Sequence, residues 1–475
     1  MVRSRSLTNL GDVLDQLIAD TLAGAVAYVW PFFGDDDWQT RQYGGHIARS
    51  DNRAKVSVLA PLPLGDGLGS LEAQRHVPES VLAVSEVGGT LAFDISRIGG
   101  VSRIGASKAS SRHYFSRAIA VGFPAEDLQS SRMYEMAAYF PGLEHWSNIT
   151  GSTVETKHDT FNRPTEIILT IKAAPDQVTQ FSDSHTIEVS THFEVSGPSD
   201  DQQVFTPLSI SSVTREPADW RDHLLALTRI QDLLSLCWDG FARADGGYVR
   251  LDLHDPHPTS NAKLWSERLM EMPVAAKQAG PSTSFPQVRY ETLGGVDGFK
   301  RWYDIASTHP RAVVPLTSRH RVARFAAGQS NLLDICAAIA YWVNFHKKEN
   351  HGWATRSSKS DTKSGILARH VGQHFESFVG DSAKWSRLLW DRYDELRHDP
   401  TKQHDSREIG LLVESARILL TAALLNEVSG DDAPTRSLCG ATDNYMIGYE
   451  IREDLTGTGA CAVPTDDSVL HNERS

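Results

Sequence analysis

Hydrophobic residues recur with two different periods along the chain. Between residues 55 and 215, short apolar runs are separated by turn residues, and in residues 187–195 apolar and polar positions alternate. Such alternation is typical of strands with one face in a core and the other in water, which predicts an antiparallel sandwich or barrel. The expected strands cover residues 55–60, 89–96, 114–122, 165–172, 185–195 and 204–213.

Beyond residue 215 the apolar period becomes mainly helical. The pattern predicts helices at residues 219–238 and 296–307, with a strand at 246–253 between them. An apolar stripe then runs to residue 347 from a helix start capped by Thr317 or Ser318. Three further helices are expected at residues 366–379, 383–396 and 406–427. Together these predict a four- or five-helix bundle behind the β-rich part, a multidomain α+β architecture.

These patterns predict four regions along the chain. A β-rich sensing or regulatory domain is expected at residues 1–215, linking helices and a hinge at 216–312, and an all-α domain at 313–430. Residues 431–475 contain few large apolar residues. We expect them to form a largely disordered acidic tail, with a short ordered piece at residues 445–451.

Composition and charge narrow the possible functions. A chain of 475 residues with 40% hydrophobic and 23% charged residues fits a soluble globular protein. The net charge of -13 argues against general polyanion binding, so a nucleic-acid site would have to be a local basic patch. The sequence shows no signal peptide and no apolar span of about 20 residues, so we expect a cytoplasmic protein with no membrane contact. The four cysteines lack metal-ligand spacing and fit a reducing compartment: Cys237, Cys336, Cys439 and Cys461.

Four short motifs could bind a metal or a phosphate, or carry a nucleophile, but each is incomplete. Three adjacent carboxylates at residues 35–37 usually point apart into water. Residues 254–257 offer two His and an Asp, with a proline between them and no third set of ligands nearby. Residues 65–70 lack the Lys-Ser/Thr ending of a P-loop, and residues 105–107 lack the second glycine of a nucleophile elbow. We therefore expect neither a metal nor another cofactor.

The best candidate chemistry lies where two predicted helices meet, in residues 396–405. Arg397 and His398 follow a helical run, and His404 precedes a long apolar one. An arginine keeps its charge and neutralises a phosphate through a planar fork of donors, and a histidine exchanges protons near pH 7. These groups suffice for metal-free attack of an RNA 2′-OH on its own phosphate. His404 would move protons, and Arg397 would stabilise the charged transition state.

The spacing of Arg397 and His404 is weak evidence by itself. Arginine and histidine recur with four to six residues between them at Arg41/His46, Arg250/His257, Arg369/His374 and Arg392/His398. Only Arg397/His404 has an amphipathic helix before it, a proline-containing break within it and an apolar helix after it. The competing interpretation is an exposed loop at a helix end without a catalytic role.

The segment 316–430 resembles a HEPN domain, a small all-α unit marked by an arginine, a polar residue, a few further residues and a histidine. Arg397-His398 and His404 match that motif at the long end of its spacing. With a β-rich part in front, the chain resembles the ApeA-like HEPN proteins of bacterial anti-phage defence. The resemblance implies a metal-independent endoribonuclease of abortive infection, with His398 orienting the phosphate or acting as a second acid or base. Tyr393, one turn before Arg397, and Lys402 are expected to contact the substrate.

The resemblance also implies a homodimer formed through the helical domain, with an RNA substrate such as tRNA. Products would carry 2′,3′-cyclic phosphate or 3′-phosphate ends and 5′-OH ends. The β-rich domain would hold the nuclease inactive until a phage-derived trigger arrives. Two alternatives stay open. One is a non-catalytic interaction scaffold with a ligand-sensing β-rich domain. The other is a carbohydrate-active β-rich domain, for which no pair of carboxylates stands out.

Overall fold

The structure is a computed structural model, and the chain in it divides into two compact units. It describes residues 16–32, 42–61, 77–99, 102–103, 109–192, 194–196, 203–254, 261–273, 277, 279, 285–321, 328–355, 361–399 and 401–457. Unit 1 comprises Met1–Pro273 with Lys277–Phe285, and unit 2 comprises Val274–Ala276 with Pro286–Ser475. Unit 1 is β-rich and unit 2 is helical, which confirms the predicted α+β architecture.

Unit 1 contains a closed six-stranded barrel. Its strands follow the order β7-β3-β2-β1-β4-β5, and β5 pairs again with β7 to close the ring, with every pairing antiparallel. The strands are β1 (Ala25–Phe32), β2 (Tyr43–Ser50), β3 (Arg53–Pro61), β4 (Ser80–Ser85), β5 (Gly88–Ile98) and β7 (Ala109–Phe123), with the short β6 (Ser102–Arg103) beside β7. Inward-facing side chains such as Val29, Val56 and Val81 are fully buried. Helix α1 (Gln16–Leu22) adds Ile18 and Leu22 to this core.

An open antiparallel sheet continues from the barrel. Its order is β11-β12-β15-β8-β16-β17, and β17 joins it to β7 of the barrel. The strands are β8 (Leu128–Tyr139), β11 (Gln177–Ser182), β12 (His185–Thr191), β15 (Leu208–Ala218), β16 (Gly246–Leu253) and β17 (Ala262–Ser266). Two hairpins stand apart, β9 (Ser152–His158) with β10 (Pro164–Ile171), and β13 (Glu194–Ser196) with β14 (Gln203–Phe205). The remaining helices of this unit are α2 (Leu143–Ser147), α3 (Trp220–Trp238), α4 (Glu267–Met270) and a 3₁₀ turn at Ala125–Asp127.

Helix α3 packs on β8 and β15, and for this reason unit 1 extends beyond residue 215. His223 on α3 is fully buried, and its ring nitrogens lie 3.0 Å from the carbonyl of Met133 and 2.9 Å from Ser212 Oγ. The expected boundary at residue 215 therefore falls inside unit 1. Helix α3, β16 and β17 complete the sheet of this unit and do not form a separate linker.

Unit 2 is assembled around one long apolar helix, α12 (Ser406–Ser429). It contacts α5, α6, α7, α9, α13 and α14, so it is the central helix of the unit. Its Ser415 accepts a hydrogen bond from Nε1 of the buried Trp385 at 2.9 Å. The other helices are α5 (Val296–Thr308), α6 (Pro310–Arg321), α7 (Gly328–Lys348), α8 (Gly352–Thr355), α9 (Lys363–Val371), α10 (Gln373–Val379), α11 (Ser382–His398), α13 (Ala433–Gly440) and α14 (Thr442–Glu450), with a 3₁₀ turn at Glu291–Leu293 and a π-helical segment at Ile451–Thr456.

Three details of unit 2 differ from the expectation. The helix that was expected to begin at Thr317 or Ser318 begins at Pro310 instead, and it accommodates Pro315 in its interior. The expected helix at residues 366–379 is two helices, because Gly372 adopts a positive φ of 97° that interrupts it. A short helix, α8, lies between residues 347 and 366, where no helix was expected.

The segment 433–456, which was expected to be largely disordered, forms helices against the bundle. Polar side chains anchor it: Arg452 donates to the carbonyl of Phe378 at 2.8 Å, and Thr456 Oγ1 donates to that of Val379 at 3.0 Å. The segment also buries the apolar side chains of Leu438 and Ile451, which the low apolar content of residues 431–475 had concealed. Within the described residues, no helix is long and apolar enough to cross a membrane.

Candidate active site at the junction of two helices

Local capping fixes the junction between α11 and α12. The backbone N–H of Asp399 bonds the carbonyl of Glu395 at 2.8 Å, and Asp399 Oδ1 then accepts from both the N–H and the hydroxyl of Thr401 at 3.2 and 2.6 Å. This local turn competes with a further helical turn and ends α11. Asp405 caps α12 by accepting from the N–H of Arg407 at 2.9 Å. His404 therefore lies directly before the first turn of the central helix, and Pro400 lies outside the described residues.

Glu395 contacts three basic side chains at this junction. Its Oε1 accepts from Lys402 Nζ at 2.6 Å, and its Oε2 accepts from Arg392 Nη1 at 2.9 Å and lies 3.7 Å from His404 Nδ1. Arg392 also donates through Nε to Glu408 on α12, which connects the two helices. The hydrogen bond from Lys402, followed by the one from Arg392, lowers the pKa of the Glu395 carboxyl. Glu395 is consequently an anion at neutral pH.

His404 is held in an unusual state for a loop histidine. Its side chain is 4% exposed, and among the described residues Nε2 is buried without a hydrogen-bond partner. A carboxylate facing Nδ1 favours the tautomer that carries its proton there, so that Nε2 keeps a lone pair. Buried polar atoms are nearly always paired, and an unpaired one calls for an explanation such as a catalytic role.

Arg397 occupies a different side of α11. Its guanidinium carbon lies 5.6 Å from the ring centre of Tyr393, one turn earlier, and that ring contacts Trp390 at 5.1 Å. Residues two positions apart on a helix are separated by roughly 200°, so Arg397 and Glu395 point in nearly opposite directions. In the part of the chain that the structure describes, no polar contact joins Arg397 to His404. The fold therefore places Arg397 and His404 at the same junction, but Arg397 points away from the Glu395 that His404 contacts.

The side chains predicted for this site are either exposed to solvent or already paired with another side chain. Arg397 and His398 are both exposed. Lys402, expected to contact substrate, is paired with Glu395 in this structure. Glu395 and Arg392 are functional candidates that the sequence reasoning missed. Their spacing of three residues on a predicted helix was a readable signal, whereas the contact of Arg392 with Glu408 required the fold.

The short motifs considered for metals and phosphates contribute no described site. Residues 35–37, 65–70, 105–107 and 255–257 lie outside the described residues. His254 is described, and its Nδ1 lies 2.7 Å from Gln129 Nε2. Within the described ranges, no group of three His, Cys, Asp or Glu residues is arranged to hold a metal ion.

A second candidate site is an open cavity of about 620 Å³ on the sheet of unit 1. Strand register sets Thr186, Val213, Glu135 and Arg250 in one row across β12, β15, β8 and β16. The Arg250 guanidinium lies 5.8 Å from the Tyr134 ring centre and 3.7 Å from Glu135 Oε2. The volume suits a small molecule, and the lining combines charged and aromatic groups.

Glu188, which lines this cavity, has a carboxyl group with a perturbed pKa. Its pKa is raised, first by burial and then by the neighbouring Glu135 carboxylate. Its Oε1 accepts a hydrogen bond from Thr186 Oγ1 at 3.4 Å. A carboxyl group in such surroundings is typical of ligand-binding and catalytic clefts, although ion-pair networks also produce it.

Comparison with known proteins characterises the β-rich part of the chain. A search of curated proteins and a search of solved structures both gave no significant match. Residues 49–272 match the family model described as ApeA N-terminal domain 1. The matched segment begins at the end of β2 and ends after α4, so it includes the open sheet and its cavity. This match supports the similarity of the chain to ApeA-like anti-phage defence proteins, and it covers residues of unit 1 alone.

Proposed function

We propose that the chain is a metal-independent endoribonuclease of bacterial anti-phage defence that acts at the junction of α11 and α12. The observation that carries the proposal is the pairing of His404 with Glu395. An imidazole with an anionic carboxylate 3.7 Å from Nδ1 and, among the described residues, no partner on Nε2 is suited to accept a proton through Nε2. The match of residues 49–272 to an ApeA domain supports the defence context.

The proposed reaction follows from these groups. His404 Nε2 takes the proton of a ribose 2′-OH, and the 2′ oxygen attacks the adjacent phosphorus. The bond from phosphorus to the 5′ oxygen breaks, and that oxygen receives a proton from His398 or from a second His404. Arg397 stabilises the charge that develops on the phosphate oxygens. The products are a 2′,3′-cyclic phosphate, which water can open to a 3′-phosphate, and a 5′-OH end.

Arg397 lies on nearly the opposite face of α11 from Glu395, which His404 contacts, and this separation supports a site completed by a second copy of the chain. In a homodimer formed through the helical unit, His404 of one protomer would meet Arg397 of the partner subunit. The burial of His404 further requires residues 399–405 to rearrange when RNA binds. A catalytic histidine that is buried before RNA binds fits an enzyme that must stay inactive until infection. A candidate substrate is tRNA.

In this proposal, unit 1 would regulate the nuclease activity of unit 2. Its cavity of about 620 Å³ is large enough for a small trigger molecule and combines Arg250, Tyr134 and Glu188. Binding there would shift the population of the active state only if the trigger binds that state more tightly.

The alternative function is a non-catalytic scaffold with a ligand-sensing β-rich unit. The observation in its favour is that Lys402 and His404 both contact Glu395 while Arg397 stacks on Tyr393. In that case the junction residues would stabilise the bundle and carry out no chemistry.

A phage-protection assay separates the two functions. Cells expressing the intact chain, His404→Ala or Arg397→Ala would be challenged with a panel of phages and plaques counted. The exposed His374 and Arg387 provide matched control variants, His374→Ala and Arg387→Ala. The nuclease proposal predicts that protection is lost in the two junction variants and kept in both controls. Protection that survives both junction substitutions would favour the scaffold.

A further inference from the structure

One segment of unit 2 reverses the acidic character of the chain. Residues 345–370 contain six Lys or Arg against two acidic residues, in a chain whose net charge is -13. Two of these basic residues, within 356–360, lie outside the described part and do not enter the argument. The others are Lys347, Lys348, Lys363 and Arg369, of which Arg369 pairs with Asp361 at 2.6 Å. Local positive charge of this kind is the electrostatic feature expected of a nucleic-acid surface.

The same segment builds a column of aromatic rings that leads from the core to the surface. The rings of Trp353 and His370 are stacked, with centres 4.0 Å apart and planes 8° from parallel. Trp353 also contacts His346, with ring centres 5.1 Å apart and planes tilted by 45°. His346 is buried, Trp353 is half-buried and His370 is exposed. The outer ring of the column is therefore available to a further planar group.

Local folding holds this column in place. The single-turn helix α8 carries Trp353, and it packs against α7 and α9. Ala354, next to Trp353, is fully buried and anchors α8. His370 is exposed only in part: desolvation by the groups packed around its ring, and secondarily the neighbouring His351, lowers its pKa, so the outer ring is neutral at pH 7 and stacks as an uncharged plane.

Positive charge lies on the same face of α9 as the outer ring. Lys363 precedes His370 by seven residues, which is two helical turns and about 10 Å along the axis. Lys347, at the end of α7, is close enough that its charge, after burial, contributes to lowering the pKa of Lys363. Two ammonium groups placed together beside a stacking platform match the phosphates and bases of a single strand.

We propose that the surface formed by Trp353, His370, Lys347 and Lys363 binds single-stranded RNA, with one base stacked on His370 and the adjacent phosphates on the two lysines. The proposal rests on the ribonuclease function, for which this surface would hold the substrate. An acidic protein segment would satisfy the lysines but leave the exposed ring without a partner. The junction is within reach. Ser364 Oγ bonds the carbonyl of Ser386 at 3.3 Å, and from Ser386 to Arg397 α11 extends about 16 Å.

The test measures binding by the full-length protein and does not depend on cleavage. A fluorescent 2′-O-methyl RNA single strand lacks the attacking hydroxyl, so its anisotropy reports binding alone. Loss of one stacked base should weaken binding by about 5- to 100-fold in His370→Ala. His370→Tyr retains a ring and should bind within about twofold of the unaltered protein. Lys363→Ala should reduce the slope of log K against log salt by about 0.7.

Matched controls are His374→Ala, an exposed histidine on α10, and Lys172→Ala, an exposed lysine in unit 1. Both should bind RNA as the unaltered protein does. The inference is overturned if the unaltered protein fails to bind at low salt or if His370→Ala and Lys363→Ala bind as tightly as the controls. It is also overturned if polyglutamate competes as well as RNA. Binding lost in His370→Ala without cleavage by any variant would keep this surface and reject the nuclease. RNA cleavage together with unchanged binding in His370→Ala would reject this surface and keep the nuclease.

Discussion

The Oε2 atom of Glu395 lies 3.7 Å from Nδ1 of His404, and Oε1 of the same carboxylate accepts a hydrogen bond from Lys402. One side chain at the end of α11 thus orients a histidine that precedes α12. In the proposed nuclease, Glu395 is a positioning residue, because it acts on His404 and does not touch the RNA.

Replacing Glu395 by Gln should impair cleavage more than stability. The variant keeps the size of the side chain but removes the charge that faces Nδ1, so the preferred tautomer of His404 is lost. We expect cleavage to slow by at least about 10-fold, measured as the initial rate on a defined RNA. Asp394→Asn removes a neighbouring exposed carboxylate and should leave the rate unchanged. A Glu395→Gln protein with an undiminished rate would remove this carboxylate from the account.

The sheet of unit 1 should tolerate a methyl group at one glycine of β16 and reject it at the next. A Cβ on Gly247 would lie 2.1 Å from the carbonyl oxygen of Ala137, whereas on Gly246 the nearest atom is 3.5 Å away. We expect Gly247→Ala to lower the free energy of unfolding by about 1–3 kcal/mol or more, since the clash is with backbone. Gly246→Ala should change it by less than about 1 kcal/mol. Denaturant unfolding of the two variants measures the difference, and equal values would contradict the predicted close approach.

The core of unit 2 should depend strongly on Trp385. This side chain is fully buried, meets Phe375 edge to face at 5.1 Å and donates to Ser415 Oγ. Trp385→Ala should cost about 3–5 kcal/mol of unfolding free energy, and Trp385→Phe less, because it keeps most of the packing. Trp390→Ala, at a half-buried position on the same helix, is the control and should cost less than Trp385→Ala. Equal losses at the two positions would mean that Trp385 is not the centre of this core.

Acid should destabilise unit 2 through His346. Burial, aided by three neighbouring histidines, lowers the pKa of His346 to about 4 from its ordinary value of 6.5. Between these two pH values His346 is protonated in the unfolded chain but neutral in the folded protein. The free energy of unfolding therefore falls as pH drops from about 6.5 to about 4. His346→Phe should flatten this part of the stability curve, while His374→Phe at an exposed site should not. Identical slopes for the unaltered protein and both variants would show that His346 is not the acid-sensitive group.

The parts of the fold that could be predicted from the sequence are those that depend on the pattern of neighbouring residues. The alternation in residues 187–195 predicted β12, and the apolar helical pattern at residues 406–427 predicted α12. Closure of the barrel was not readable, because the 15-residue β7 must pair with both β3 and β5, which lie at different distances along the chain. Strand pairing depends on such distant partners and not on the local pattern.

The candidate site shows the same limit. The residue types at Arg397, His398 and His404 indicated chemistry, and a spacing of two residues between Glu395 and Arg397 already implied different helix faces. What spacing could not give was the contact of His404 with Glu395, because the turn from Asp399 to Asp405 sets it. Likewise, Arg452 and Thr456 hold residues 433–456 through hydrogen bonds to distant carbonyls.

The most direct test of the central claim is the chemistry of RNA ends in infected cells. RNA from phage-challenged cells that express the intact chain, His404→Ala, Arg397→Ala or the control His374→Ala would be sequenced by a method specific for 5′-OH ends. The account predicts new 5′-OH ends, matched by 2′,3′-cyclic phosphate ends, for the intact chain and the control, and their loss in both junction variants. Protection against phage without such ends, or ends that persist in both junction variants, would contradict it.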